Sequence, residues 1–299
     1  MKIGIIGGGS IGLLFAFYLS EKYPLCLYVR TKEQLEFIQS KGLFLKQHEL
    51  EKHKFIEVKL YSEWSGCEDL TLIAVKQYHL NQLMDFLYAH SRPDKSILFL
   101  QNGMGHLKYL EKLNGEVYVG TVEHGAIRLK ANRVLHTGIG STNISSIRPS
   151  RSRLLEMISL ESDKSFPFII EEDYENMLLK KLVVNAVINP LTAILGIKNG
   201  ELLENEYYFE LMKMIFNEIE QCLSLQNSQQ YFENIVTVCK KTAHNQSSML
   251  CDLEGKRPTE VDAILGFILE KSVEREINTP IIATFYQAVK GKECKLERV

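Results

Sequence analysis

The sequence predicts an α/β domain followed by an all-helical domain. Three observations carry that reading. A short apolar run at the N-terminus leads through a glycine-rich turn into an apolar helix. Further strand-like runs, bounded by turn residues, recur as far as Phe166–Ile170. After Glu171-Glu172-Asp173 every patterned segment has a helical period. The division falls near residue 171, giving domains 1–171 and 172–299, and a chain of 299 residues suits two domains of ordinary size.

Lys2–Ile6 reads as a strand buried on both faces. Gly7-Gly8-Gly9-Ser10-Ile11-Gly12 follows, and LLFAFYLSEKY after it has a helical apolar pattern. Strand, GxGxxG and helix in that order are what a dinucleotide needs. The first glycine makes the tight turn, the second lets backbone approach a pyrophosphate, and the third permits close helix–strand packing. Free N–H groups at the helix start then receive the phosphates. This context makes the N-terminal half a Rossmann-type domain, with Gly7, Gly8, Gly9, Ser10, Ile11 and Gly12 as cofactor contacts.

Leu25–Val29 is the second strand. An NAD enzyme usually places an acid at its end for the ribose 2′-hydroxyl; here the chain reads Arg30-Thr31-Lys32, with no acid before Glu33. A guanidinium pairs with a 2′-phosphate, so Arg30 predicts NADP(H); the other reading is a surface arginine closing a strand. Gly42–Leu60 suggests a hairpin or two short strands. Leu70–Val75 and Ser96–Leu100 are clean buried strands ending in Lys76-Gln77 and Gln101-Asn102-Gly103. Both ends fall at the carboxyl edge, where open α/β sheets bind ligands, which nominates Lys76 and Asn102 for the cofactor; the other reading for each is a loop residue capping a turn. Glu116–Ala126 and Arg133–His136 read as further strands. His124 and His136 have no nucleophile or metal partner at a diagnostic spacing and are read as structural. Ser145–Arg153 reads as a polar loop.

The second half is organised around a helix from about Glu175 to Leu195. Lys181, Asn185 and Asn189, at i, i+4 and i+8, fan over roughly 80° of one face among Leu182, Val183, Val184, Ala186, Val187 and Ile188. Lysine and asparagine are costly to bury without partners, so either the protein or a polar ligand supplies them. Pro190 removes a helical hydrogen bond and predicts a kink after Asn189. Amphipathic helices follow over Glu210–Gln226 and Tyr231–Thr242. Thr259, with Asp262 three residues on, predicts a near capping box opening a last pair of helices. That puts Glu260 in a first turn, its carboxylate toward loop 245–258; alone, it reads as a surface acid. The cleft between the two halves is the expected site.

Composition narrows the function classes. Thirty-five basic and 37 acidic residues leave a net charge of −2, against broad electrostatic binding to nucleic acid or membrane. Six scattered cysteines show no CxxC and no zinc spacing, which predicts reduced thiols and no metal. MKIGIIGGG lacks the shape of a signal peptide, and no run reaches about 18 apolar residues, so the expected location is cytoplasmic with no membrane segment.

LQNGMG, KLVVNAVINPLTA, KNGEL, SSMLCD and TEVDAILGF, together with the N-terminal glycines, make the whole chain resemble the ketopantoate reductase (2-dehydropantoate 2-reductase) family. The resemblance implies a 6-phosphogluconate-dehydrogenase-like fold and the NADPH-dependent reduction of a 2-keto acid, with Lys181 as the catalytic acid. It implies substrate contacts at Asn102, Asn185, Asn189, Asn199 and Ser248. On the cofactor side it implies the glycine loop, Arg30, Lys76, Asn102 and Ala126, with Glu260 at the nicotinamide ribose or the substrate hydroxyl. Lys180 lies beside Lys181 but about 100° off the asparagine face. TVEHGA over 121–126 departs from the smaller polar residues usual there. A homodimer through the helical half is compatible with this division, and no residue establishes it.

Overall fold

A computed structural model describes residues 1–148, 154–161 and 164–296. The chain separates into two compact units, Met1–Gln101 with His106–Met177, and Asn102–Gly105 with Leu178–Val299.

In the first unit the elements run β1 (Ile3–Ile6), α1 (Ser10–Leu19), β2 (Leu25–Val29), α2 (Lys32–Lys41), β3 (Leu43–Gln47), β4 (Leu50–Lys54), β5 (Glu57–Leu60) and β6 (Leu70–Ile73). They continue as α3 (Gln77–His90), β7 (Ser96–Phe99), α4 (Leu107–Leu110), β8 (Glu116–Val122), β9 (Gly125–Lys130) and β10 (Arg133–Gly138). The last are β11 (Thr142–Ser146), α5 (Leu154–Glu161) and β12 (Phe168–Ile170). Eight strands form one sheet in the order β12-β11-β8-β7-β6-β1-β2-β5, and four form a second in the order β4-β3-β10-β9. Within the large sheet, β5-β2-β1-β6-β7-β8 is parallel throughout and reverses direction of travel at β1, the doubly wound order. Ligands bind such sheets at that switch point, off the carboxyl ends of the strands.

Helix α1 explains its own composition. It packs against strands of both sheets, and Gly12 through Leu19 are all buried. A helix apolar on every side is one covered on every side. Leu13, Leu14, Phe15 and Phe17 therefore join Ile3, Ile5 and Leu27 in a single core.

Several expected boundaries move. Gly42–Leu60 forms three strands, not two, because β3 and β4 pair as a hairpin of the small sheet while β5 crosses to the large one. The strand expected over Glu116–Ala126 is two, broken at Glu123-His124, where the chain passes from the large sheet to the small one. The loop expected over 145–153 begins later, since Ser145 and Ser146 end β11; residues 149–153 lie outside the described residues.

The break also accounts for His124. Its ring is buried and stacks on Phe166 at 4.4 Å. Gly140 N–H reaches its Nδ1 at 3.3 Å, and His136 Nε2 lies 3.3 Å from the same atom. His136 Nδ1 in turn is 2.9 Å from the Tyr18 hydroxyl. Glu123 points outward, within reach of Ser141. The chain Tyr18–His136–His124 ties α1 to the strand crossover, a structural use of both histidines.

The second unit is helical: α6 (Tyr174–Leu195), α7 (Glu201–Glu204), α8 (Glu206–Leu223), α9 (Ser228–Lys241), α10 (Ser248–Glu254), a π-turn over Asp262–Gly266, α11 (Phe267–Glu274) and α12 (Pro280–Leu296). Pro190 sits inside α6 without ending it. By length and composition α6 would pass for a membrane span, against the expectation that no segment would, yet 72% of its most apolar window is buried within the protein. Leu182, Val183, Ala186, Val187 and Leu191 form the centre of the second core with Met212, Ile215, Ile219 and Ile264. The expected Thr259–Asp262 capping box does not form. Thr259 N–H donates to Glu293 instead, and Asp262 accepts from Tyr286 and Lys290.

Burial holds three histidines neutral. Desolvation pushes His124 down from 6.5 to about 4, with the neighbouring His136 adding to it; His106, fully enclosed, also falls to about 4; and His136 itself is lowered. Between those limits the unfolded chain binds more protons than the folded one, so the associated stability is intact above pH 6.5 and is lost as pH falls toward 4. Urea unfolding across that interval is expected to show a loss on the order of 3 kcal/mol for the fully enclosed His106 ring. His124→Phe, which keeps a ring against Phe166, should make the pH dependence shallower.

Candidate functional site

The glycine loop is built as the spacing requires. Gly7 has φ +124°, and a Cβ there would lie 2.8 Å from the Ala74 carbonyl. A Cβ on Gly12 would stand 1.7 Å from the Gly7 oxygen, so only glycine lets α1 come this close to the turn. A Cβ on Gly9, by contrast, would meet nothing within 4 Å. Gly9 is the N-cap of α1 with extended backbone, and no side chain caps the first-turn N–H groups that follow it. Two residues pack the chain tightly and the third leaves room. That is the shape of a cradle for a phosphate, filled by neither side chain nor backbone.

Arg30 follows β2 on the surface, with Nη1 3.2 Å from His79 Nε2 of α3. His79 is pushed down by burial and by the Arg30 charge, which favours the neutral ring as acceptor. Lys76 is the half-buried, extended residue that opens α3. Ala126 stands on β9 opposite His136. Ser10 and Ile11 begin α1.

Asn102 begins a short loop that packs within the helical unit. A Cβ on Gly103, φ +79°, would lie 2.1 Å from the Ala263 carbonyl, so the loop lies flat on the π-turn. Asn102 Nδ2 donates to Glu260 Oε2 at 2.8 Å. Glu260 is only 6% exposed, so it is no surface acid, and this oxygen turns to Asn102 rather than to loop 245–258.

On α6 Lys181 is half-buried, while Lys180 is exposed. Asn185 and Asn189 are 8% and 6% exposed. Neither carboxamide makes a hydrogen bond among the described residues. Asn199 is buried too, but its Nδ2 donates to Thr242 Oγ1 at 2.9 Å while its Oδ1 has no partner among the described residues. Ser248 is exposed at the start of α10. Its neighbour is the buried one: Ser247 Oγ accepts from Leu250 N–H and lies 2.7 Å from Thr192 Oγ1.

Sequence reading missed four contributors. Ser247 and Thr192 join α10 to α6. Gln34 Nε2 bridges the Gly8 and Ala131 carbonyls at 2.9 and 2.8 Å, and Arg128 Nη1 donates to Gly8 O at 3.2 Å. Only Ser247 left a signal, a serine three residues before the apolar Leu250. Among the described residues no group of three His, Cys, Asp or Glu is placed to hold a metal ion.

The glycine cradle and the doubly wound sheet define a dinucleotide-binding protein, and a helix of the second unit carries a face of one half-buried lysine and two buried asparagines. Comparison with known proteins narrows the class. Residues 3–149 match the family model described as "Ketopantoate reductase PanE/ApbA", and 173–293 match its C-terminal counterpart. A 2-dehydropantoate 2-reductase of Bacillus subtilis (strain 168) is 38% identical over 303 residues, covering 100% of both chains. A crystal structure described as a probable 2-dehydropantoate 2-reductase from Bacillus subtilis superposes with TM-score 0.89 at 38% identity, over 98% of this chain and 100% of that one. A D-mandelate dehydrogenase solved with NADH and anilino(oxo)acetate shares the fold at TM-score 0.91 but 22% identity, over 99% and 100%. A dimeric ketopantoate reductase from Staphylococcus aureus does so at TM-score 0.82 and 23% identity, over 99% and 100%. The chain belongs to the ketopantoate reductase family.

The two outer glycines and the middle one should respond differently. Gly9→Ala is expected to leave the melting temperature unchanged while weakening dinucleotide binding at least several-fold, because the methyl occupies only the cradle. Gly12→Ala is expected to cost several kcal/mol of stability, since backbone must move to relieve the contact. Thermal unfolding beside dinucleotide titration checks both.

Proposed function

We propose that the chain reduces 2-dehydropantoate (ketopantoate) to (R)-pantoate with NADPH, in the cytoplasm, for pantothenate and coenzyme A synthesis. The observation that carries this reading is the α6 face: one half-buried lysine in phase with two largely buried asparagines, Asn185 and Asn189, whose carboxamides make no hydrogen bond among the described residues. Buried amides are rarely left so, and a ligand rich in carbonyl, hydroxyl and carboxylate groups satisfies them. On this reading 1–171 is the NADP-binding domain and 172–299 the substrate domain.

When bound, NADPH supplies the hydride. Its pyrophosphate fits the open side of Gly9 and the N–H groups of Ser10, Ile11 and Gly12, and its 2′-phosphate is assigned to Arg30. Lys76 and the backbone at Ala126 complete that set. Lys181 presents an ammonium to the keto oxygen. As negative charge develops on that oxygen, Lys181 transfers a proton to it and is reloaded from solvent. Asn185 and Asn189 are neutral donors and acceptors, which orient the substrate's oxygens without drawing charge from the lysine. Asn199 has an unpaired Oδ1 to offer a substrate hydroxyl. Ser248 serves the carboxylate. Asn102 and Glu260, bonded to each other, present one carboxamide and one carboxylate to the nicotinamide ribose. The dimeric state described for the Staphylococcus aureus relative is proposed for this chain as well, and light scattering tests it.

Purified protein is expected to oxidise NADPH with ketopantoate in strong preference to pyruvate, 2-ketoisovalerate and oxaloacetate. Preference for another of these acids would keep the chemistry and change the pathway. Lys181→Ala should lower kcat by about 10²–10⁴-fold, the usual worth of a general acid, with NADPH affinity unchanged. Near-normal turnover of that variant would remove Lys181 from its role.

A further inference from the structure

We propose that Arg128 is a second cation for the dinucleotide, acting on its pyrophosphate and not on the 2′-phosphate assigned to Arg30. The proposal rests on the cofactor reading above. Arg128 stands on β9, the edge strand of the small sheet, two residues beyond Ala126 and so on the same side of the strand. Its side chain is exposed, and among the described residues it has no carboxylate partner. Among the described residues it makes one hydrogen bond, from Nη1 to the carbonyl of Gly8, the residue before the open Gly9 position.

That anchor is braced from below. Gln34, 9% exposed, donates to the same Gly8 carbonyl and to Ala131 O, fixing the glycine loop to the turn between β9 and β10. Arg128 is thus held over a loop whose neighbouring N–H groups await an anion. A guanidinium carries five donors in a rigid fork, and one of them is engaged. The rest suit a phosphate oxygen beside Gly9.

Position separates the two arginines. Arg30 closes β2 and contacts α3 through His79, at the place where a ribose 2′ substituent is read. Arg128 sits on the glycine loop, where the charge is the pyrophosphate that NADH and NADPH have in common. Removing Arg30 should change the choice of cofactor; removing Arg128 should weaken both alike.

The test is equilibrium titration of the full-length protein with NADPH and with NADH, followed by nucleotide fluorescence at low and high salt. Arg128→Gln is expected to raise Kd for both dinucleotides by roughly tenfold, leaving their ratio unchanged and flattening the salt dependence. Arg128→Lys should recover most of the loss, and Arg30→Gln should raise Kd for NADPH alone. Unchanged affinities in Arg128→Gln, or an altered NADPH-to-NADH ratio, would overturn the proposal. So would weaker binding with an unchanged salt slope, which would make Arg128 only a brace for Gly8. Wild-type protein that binds neither dinucleotide would overturn the cofactor reading itself, and this proposal with it.

Discussion

The contact on which the first unit depends is the one between Gly12 and the carbonyl of Gly7. With only a hydrogen at that Cα, α1 can leave the turn at van der Waals distance from the strand it follows. Every later arrangement uses that closeness. The helix is enclosed by two sheets, which is why its residues are apolar on every side. Its N-cap faces open space, which is why the loop can hold an anion. Its far end carries Tyr18, whose hydroxyl reaches His136 and through it the strand crossover at His124. One missing methyl group thus sets the position of a helix, a ligand cradle and the junction between two sheets.

The second unit depends on a different constraint, polar groups kept inside an apolar helix. Asn185 and Asn189 lie one turn apart on a helix whose other faces form the core, and burying a carboxamide without partners is costly. A protein optimised for stability alone would place aliphatic residues there. The unit instead spends its internal hydrogen bonds next to this face. Thr192 joins Ser247, and Asn199 joins Thr242, tying α10 and the end of α9 to the region of α6. The frame around the face is closed while the face itself is open. That contrast is what supports reading the face as a ligand site.

Legibility in the sequence followed the range of the interaction. Period and spacing are local, so β2 at Leu25–Val29 and the phase of Lys181, Asn185 and Asn189 could be read from the chain alone. The glycine loop was legible because its three roles are fixed by neighbours a few residues away. The small sheet was not, since β3 pairs with β10 across nearly 90 positions (Phe44 with Arg133) and neither strand announces its partner. Arg128 was invisible for the same reason, its one bond spanning 120 positions to Gly8. Glu260 taken alone reads as a solvated first-turn acid, whereas the fold buries it and sets it against Asn102, 158 positions away, which no local pattern announces.

The serine doublet shows how far a motif alone can carry an argument. SSM offers two hydroxyls in adjacent positions, and the family pattern points to Ser248. The fold assigns them opposite uses. Ser247 has the extended backbone of an N-cap, and its oxygen accepts from Leu250 while contacting Thr192, so its bonding capacity is consumed inside the protein. That consumption is what leaves Ser248, the next residue, turned outward with its hydroxyl uncommitted. Were the cap shifted by one residue, the helix would rotate by about 100° and Ser248 would be drawn into the core. The outward placement of Ser248 is therefore set by its neighbour's hydrogen bonds and not by any property of its own.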